Sequence, residues 1–288
     1  MFAVRLQRIN MKIYKTTRGI VLESKGDFFL LEDADWDKFV NDDALFAKTI
    51  NLLAESSTLE KVAGLHAEEL CPPIQSQEIW ASGVTYFNSK LARQEESKTP
   101  GGGDFYARVY VAERPELFFK STAQRASGSG QKVRIRRDSA WNVPEPELTL
   151  LITSNGKIVA YTIGNDMSSR SIEGENPLYL PQAKTYDKSA AIGPCVYVSE
   201  TPFSTETEIK MAINRKGAPV FEGKIKIGQI RRDLTELVAW LRREISFPNG
   251  CFLMTGTGIV PPVEFTLASG DEIRITIEPI GTLVNFVE

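Results

Sequence analysis

The sequence predicts an α+β, mainly β fold, with a small α+β domain over residues 1–72 and the functional domain over 73–288. Three observations carry this. Asn155-Gly156 sits between two strand-like runs, PEPELTLLIT and KIVAYTIGND, the pattern of a β-hairpin. Glu208–Asn214 and Glu272–Glu278 alternate, with Ile209, Met211 and Ile213, then Ile273, Ile275 and Ile277, turned to one side. From Cys195 onward the pattern is mostly β, broken by one helix after Asp233.

The hairpin deserves the closest reading. A two-residue turn at Asn155-Gly156 sets Ser154 opposite Lys157, Leu151 opposite Ala160, Leu148 opposite Ile163 and Glu145 opposite Asp166. Side chains alternate along a strand and opposed residues share a face. One face then carries Leu148, Leu150, Ile152, Val159, Tyr161 and Ile163. The other carries Glu145, Glu147, Thr149, Thr162 and Asp166. Opposed Cβ atoms lie about 5 Å apart, so three carboxylates converge at the open end. Facing acids repel unless a cation bridges them. Carboxylate oxygens without His or Cys suit a hard ion: Mg²⁺, with Mn²⁺ or Ca²⁺ as alternatives. A solvated acidic strand end is the other reading, and Pro144 and Pro146 permit a bulge that would break the register.

Composition removes several classes. At 288 residues and 42% hydrophobic content the chain can build a large core and two domains. Net charge is −3 with no basic block, which argues against nucleic acid. The start, MFAVRLQRINMK, mixes charges with apolar residues and lacks a secretory h-region; no apolar run reaches membrane-spanning length. A cytoplasmic protein without a membrane partner is expected. Cys71, Cys195 and Cys251 are odd in number and far apart, which predicts free thiols in a reducing compartment. His66 is the only histidine, so Ser–His or Cys–His chemistry would have to use it, and His-rich metal sites are excluded.

In chain order, Met11–Tyr14, Gly19–Glu23 and Phe28–Glu32 read as short strands. Asp42–Glu55 reads as a helix with Leu45, Phe46, Thr49, Ile50 and Leu53 on one face, and VAGLHAEEL as a further helical piece. Cys71-Pro72-Pro73 stops it and marks the domain boundary. Ile79–Thr85 reads as a buried strand. Tyr86–Lys98 reads as a charged helix joined to the Gly-rich Thr99–Gly103, either a lid over the carboxylates or a surface helix and loop. AERPELFFK leads into another strand. Arg134 and Arg136 share a strand face, as solvated charges. Pro177 and Pro181 keep the stretch after Arg170 irregular, and Lys184 is its cation. Asp233 caps a helix with Glu236 in capping-box position and a stripe of Leu234, Leu237, Val238, Leu241 and Ile245. Thr255-Gly256-Thr257-Gly258 offers backbone N–H groups and hydroxyls to an anion, or is a tight structural turn.

Glu145-Pro-Glu147, Gly164-Asn165-Asp166-Met167-Ser168-Ser169-Arg170, Ala183-Lys184-Thr185-Tyr186-Asp187, Gly193-Pro194, Thr255-Gly256-Thr257 and the ending SGDEIRITIEPIGTLVNFV stand in an order that resembles the fumarylacetoacetate hydrolase family, from about Ile79 to Val287. The resemblance implies a mixed β-sandwich roll, a homodimer or higher oligomer, metal ligands at Glu145, Glu147 and Asp166, and Lys184 and Thr257 lining the pocket of a 2-oxo acid. One departure stands out. The family's carbon–carbon hydrolases carry a catalytic His after the strand entering the lid, where this sequence has Ser89.

GVTYFNSKLARQEES, AERPELFFK, WNVPEPEL and GENPLYLPQAK are similar to a narrower branch of the family, the dehydratases of 2-keto-3-deoxy-D-arabinonate. That likeness implies a Mg²⁺-dependent hydro-lyase of pentose degradation acting on a small 2-oxo sugar acid. It makes Glu116 and Lys184 the candidate acid–base pair, with Thr257, Ser89 and Arg93 the candidates for holding substrate oxygens. The alternatives are a metal-dependent hydrolase or decarboxylase of an acylpyruvate or diketo acid, and a non-catalytic 2-oxo-acid-binding protein.

Overall fold

Strand-forming runs separated by Gly, Asn and Asp turns dominate the chain and assemble into two sheets. The computed structural model describes residues 10–55, 59–96 and 102–288, with side chains between 93 and 105 left aside. The elements are β1 (Met11–Thr16), β2 (Gly19–Ser24), β3 (Asp27–Glu32), α1 (Trp36–Val40), α2 (Leu45–Ala54), β4 (Glu60–Val62), β5 (Glu78–Gly83), α3 (Phe87–Glu96), α4 (Gly102–Val111), β6 (Glu116–Thr122), β7 (Ala126–Ser127) and β8 (Lys132–Val133). There follow β9 (Asn142–Ile152), β10 (Ile158–Ser169), α5 (Arg170–Glu175), α6 (Leu180–Lys184), β11 (Ala190–Val198), β12 (Glu208–Arg215), β13 (Ala218–Lys226), α7 (Leu234–Leu241), β14 (Cys251–Met254), β15 (Glu272–Ile277) and β16 (Gly281–Val287).

The larger sheet runs β4-β3-β2-β1-β11-β10-β9-β14-β5-β6, with β7 alongside β11; the smaller runs β13-β12-β15-β16-β8. The N-terminal strands continue the larger sheet, because β1 pairs antiparallel with β11 (Met11 opposite Val198). The sheets bury a common core in which Leu148, Leu150 and Ile163 meet Ile209, Met211, Ile273 and Ile275. Each such fully buried side chain contributes about 2 kcal/mol. The opposite face of the larger sheet buries Leu151, Ala160, Ile192 and Phe252 under Trp36, Phe39 and Leu45 of the first two helices. The long hairpin β9–β10 is therefore apolar on both faces in its middle, and its far end is left to hold the acids.

The hairpin register differs from expectation only near the tip. Gly156 donates to Thr153 O at 2.8 Å, Thr153 N–H donates to Lys157 O at 2.9 Å, and Gly156 has φ +87°. This is a three-residue loop with a left-handed glycine, one residue longer than the two-residue turn. Asp43 holds it, accepting from Thr153 Oγ1 at 2.5 Å and Asn155 Nδ2 at 2.9 Å. The extra residue is taken up at Val159: Ile158 pairs with Ile152, but Ala160 pairs with Leu151. Val159 is thus turned to the Leu151 face and not to the Leu148 face. Beyond it the expected pairs hold, Leu148 with Ile163 and Glu145 with Asp166, straight through Pro144 and Pro146.

Other expectations are corrected. The helix at 42–55 begins at Leu45, and the piece around His66 shortens to a 3₁₀ turn at Ala67–Glu69. Thr99, Pro100 and Gly101 lie outside the described residues, as do 1–9, but Gly102 and Gly103 open the helix α4, which their low helix propensity hid. Strand β8 ends at Val133, so Arg134 and Arg136 share no strand face; they pair with Asp187 and Asp138. Pro177 and Pro181 do not keep their segment irregular. Each sits in the first turn of a short helix, where its missing N–H costs nothing. Helix α7 ends at Leu241, leaving Ile245 outside it and 39% exposed. All three cysteines are free, and no helix among the described residues is long and apolar enough to cross a membrane.

Candidate active site

At the open end of the hairpin, Glu145, Glu147 and Asp166 each offer an oxygen within 4.8 Å of the others, and all three are buried. Glu145 and Asp166 are opposed across β9–β10, and Glu147 follows two residues along on the same face. An outer partner fixes one oxygen of each. Arg170, at the start of α5, lies 3.0 Å from Glu145 Oε1; Lys120, on β6, lies 2.6 Å from Asp166 Oδ1; the N–H of Gly256 donates to Glu147 Oε2 at 2.5 Å. The remaining oxygens of Glu145 and Asp166 meet at Lys184, whose Nζ is 2.9 Å from Glu145 Oε2, 3.2 Å from Asp166 Oδ2 and 2.6 Å from Ser168 Oγ.

The electrostatics follow from burial. Glu147 is pushed well above the usual carboxylate range, first by desolvation and then by the neighbouring Asp166 and Glu145. Burial likewise pulls Lys120 down, against the attraction of Asp166. Three buried carboxylates around one point favour a cation, and this all-oxygen donor set fits Mg²⁺.

One cavity is lined by Glu145, Glu147, Asp166, Lys184, Glu116, Ser89 and Thr257, so seven of the eight residues expected from the sequence come together. The side chain of Arg93 lies outside the described residues. Ser89, in the first turn of α3, is buried and donates to Tyr86 O at 2.9 Å. Glu116 opens β6 opposite Gly83, and a Cβ on residue 83 would collide with the Glu116 carboxylate. The glycine leaves room for the Glu116 carboxylate in its present position. Gly256 is a glycine for a related reason: its φ is +94°, and a Cβ there would collide with Thr85 Oγ1. The 255–258 turn does bind a carboxyl group, the chain's own Glu147, through the Gly256 N–H. The Thr255 and Thr257 hydroxyls face backbone groups, Leu148 O at 2.8 Å and Ile259 N–H at 3.2 Å.

Sequence reasoning missed Lys120, Ser168 and Glu173. Lys120 carried a signal, a lysine directly after the apolar Leu117-Phe118-Phe119 of a strand-like run. Glu173, on α5, lines the cavity and is buried, but nothing in SIEGEN separates it from a surface acid. Lys184 was expected on likeness alone; its 2% exposure sets it apart from a surface lysine.

Residues 79–288 match the family described as fumarylacetoacetate hydrolase, C-terminal. The chain is 48% identical over 216 residues to a protein of Haloferax volcanii named probable 2-keto-3-deoxyxylonate dehydratase, covering 75% of this chain and 73% of that one. It is 41% identical over 220 residues to the 2-dehydro-3-deoxy-D-arabinonate dehydratase of Saccharolobus solfataricus, with the same coverage. A solved 2-keto-3-deoxy-D-arabinonate dehydratase complexed with magnesium and 2,5-dioxopentanoate superposes with a TM-score of 0.80 at 32% identity, over 97% of this chain and 98% of that one.

Proposed function

The chain belongs to the fumarylacetoacetate hydrolase family, and from that membership we propose that it is a Mg²⁺-dependent hydro-lyase converting 2-keto-3-deoxy-D-arabinonate, or a closely related 2-keto-3-deoxy sugar acid, to 2,5-dioxopentanoate. The observation that carries this is the buried Glu145–Glu147–Asp166 cluster with Lys184 among its oxygens. The names of the two relatives converge chemically. A 2-oxo-3-deoxy pentonate has lost the stereocentres at C2 and C3, so xylose- and arabinose-derived acids of one series are the same compound.

Glu145, Glu147 and Asp166 would hold the ion. Bound there, it would supply Lewis-acid stabilisation of the charge developing on the 2-oxo oxygen. Lys184 takes a C3 proton. Glu116 gives a proton to the C4 hydroxyl, which leaves as water. The unsaturated 2-oxo acid then loses a C5 proton and regains one at C3, and the resulting C5 enol becomes the aldehyde. The balance is one water lost and no net oxidation. Ser89, Thr257 and Arg93 bind substrate oxygens. Support for these roles is the shared cavity and the distances around Lys184.

The 1–72 and 73–288 portions are proposed as a small N-terminal domain and the catalytic domain, joined edge to edge by β1 and β11. A cytoplasmic homodimer or higher oligomer is proposed from the family likeness, and light scattering tests the assembly.

The deciding experiment is turnover of 2-keto-3-deoxy-D-arabinonate with Mg²⁺, with and without EDTA, following product through a coupled aldehyde dehydrogenase. Product that disappears with EDTA is expected. No product with Mg²⁺ or Mn²⁺ overturns the substrate, and activity on acylpyruvates would favour the hydrolase or decarboxylase reading instead.

A further inference from the structure

Lys120 has no part in the reaction as set out, yet it is wholly buried in β6, directly after Leu117, Phe118 and Phe119. A buried ammonium is costly unless its donors are paired. All three donors of Lys120 are used: to Asp166 Oδ1 at 2.6 Å, to Met167 O at 2.9 Å, and to Lys184 O. The last is the informative one. Lys184 ends α6, and the final carbonyls of a helix have no partner inside it. Lys120 supplies that partner from another strand. Beside it, Thr185 Oγ1 donates to Phe119 O at 3.0 Å, so two adjacent residues of β6 hold the end of α6. The other side of the same ammonium fixes Asp166. One side chain therefore spans from a carboxylate of the cluster to the backbone that carries the proposed base.

We propose that Lys120 is a positioning residue for Lys184: its ammonium locks the last turn of α6 to Asp166 and so sets where the Lys184 amine stands relative to the three carboxylates. This rests on the reading of Lys184 as the base. A main-chain shift of 1 Å at a reacting group costs about 100-fold in rate, so loosening this lock lowers kcat while substrate and metal still bind.

The test uses Lys120→Met in the full chain, with two readouts that need no substrate. Amide hydrogen exchange at residues 183–186 should quicken about 10-fold, with β9 unchanged. Mg²⁺ affinity by calorimetry should fall by about 10- to 100-fold, because Lys120 is also the outer partner of Asp166, so turnover is read at saturating Mg²⁺. With substrate, kcat should fall about 100-fold and KM hold within about 3-fold. Unchanged exchange at 183–186, or a kcat that recovers fully at saturating Mg²⁺, overturns the proposal and leaves Lys120 as a support of Asp166 alone. If wild-type protein does not turn over the sugar acid, the proposed function fails, while exchange at residues 183–186 still decides whether Lys120 locks α6. Should Lys120→Met not fold, Thr185→Val removes the neighbouring tie. A kcat loss of about 5-fold at constant KM supports the lock, and an unchanged kcat overturns it.

Discussion

The backbone N–H of Gly256 donates to Oε2 of Glu147 at 2.5 Å, joining a turn to a strand 109 positions earlier. Neither partner can be replaced freely. Residue 256 has φ +94°, and any Cβ would strike Thr85. Gly256→Ala is expected to misplace the Glu147 carboxylate and weaken Mg²⁺ binding by about 10- to 100-fold. Calorimetric titration of the folded variant checks this, and wild-type affinity would refute it.

Glu147→Gln and Lys184→Met should separate metal binding from proton transfer. The first removes a charged ligand while keeping the side-chain shape, so Mg²⁺ affinity and turnover should both be lost with the circular dichroism spectrum unchanged. The second should lower kcat by about 10²- to 10⁴-fold. It should bind Mg²⁺ at least as well as wild type, since the Lys184 ammonium lies against the same Glu145 and Asp166 oxygens. Loss of Mg²⁺ binding in Lys184→Met would contradict the assignment.

Ser89 already donates its hydroxyl proton to Tyr86 O, leaving only its lone pairs for substrate. Ser89→Ala should raise KM by up to about 10-fold, the worth of one hydrogen bond, and leave kcat nearly unchanged. A collapse of kcat would instead make Ser89 part of the chemistry.

Asp233 caps α7, accepting from the Thr235 hydroxyl and from the N–H groups of Glu236 and Thr235. These bonds hold its carboxyl below the ordinary value of 3.8. A depressed folded value means stability that is present above 3.8 and lost as pH falls through the folded value. Asp233→Ala should cost about 1 kcal/mol at neutral pH, and the gap to wild type should close below pH 3.8. Urea midpoints at neutral and acidic pH measure it.

Much of the site was legible because it depends on strand register. Alternation and one turn brought Glu145 opposite Asp166, and that pairing holds. Ile209, Met211, Ile213, Ile273, Ile275 and Ile277 were likewise expected inward, and each is at most 2% exposed. What could not be read depends on contacts between distant segments. Lys120 meets Asp166 and Lys184 only once β6, β10 and α6 are assembled. The helix α4 is disguised by its two opening glycines, and the helical turns at Pro177 and Pro181 by a residue that both breaks and begins helices. Glu116, Lys184, Thr257 and Ser89 rested on family likeness and line one cavity, while the Arg93 side chain lies outside the described residues.

The bulge at Val159 gives the hairpin a mechanical property of its own. It takes up one residue within a few positions of the tip, so the pairs from Ala160–Leu151 to Asp166–Glu145 stand in the register that a two-residue turn would set. The tip is docked on Asp43, in the N-terminal part of the chain. The loop can therefore fit its neighbour with a third residue while the acid-bearing end of the same two strands is insulated from that one-residue difference.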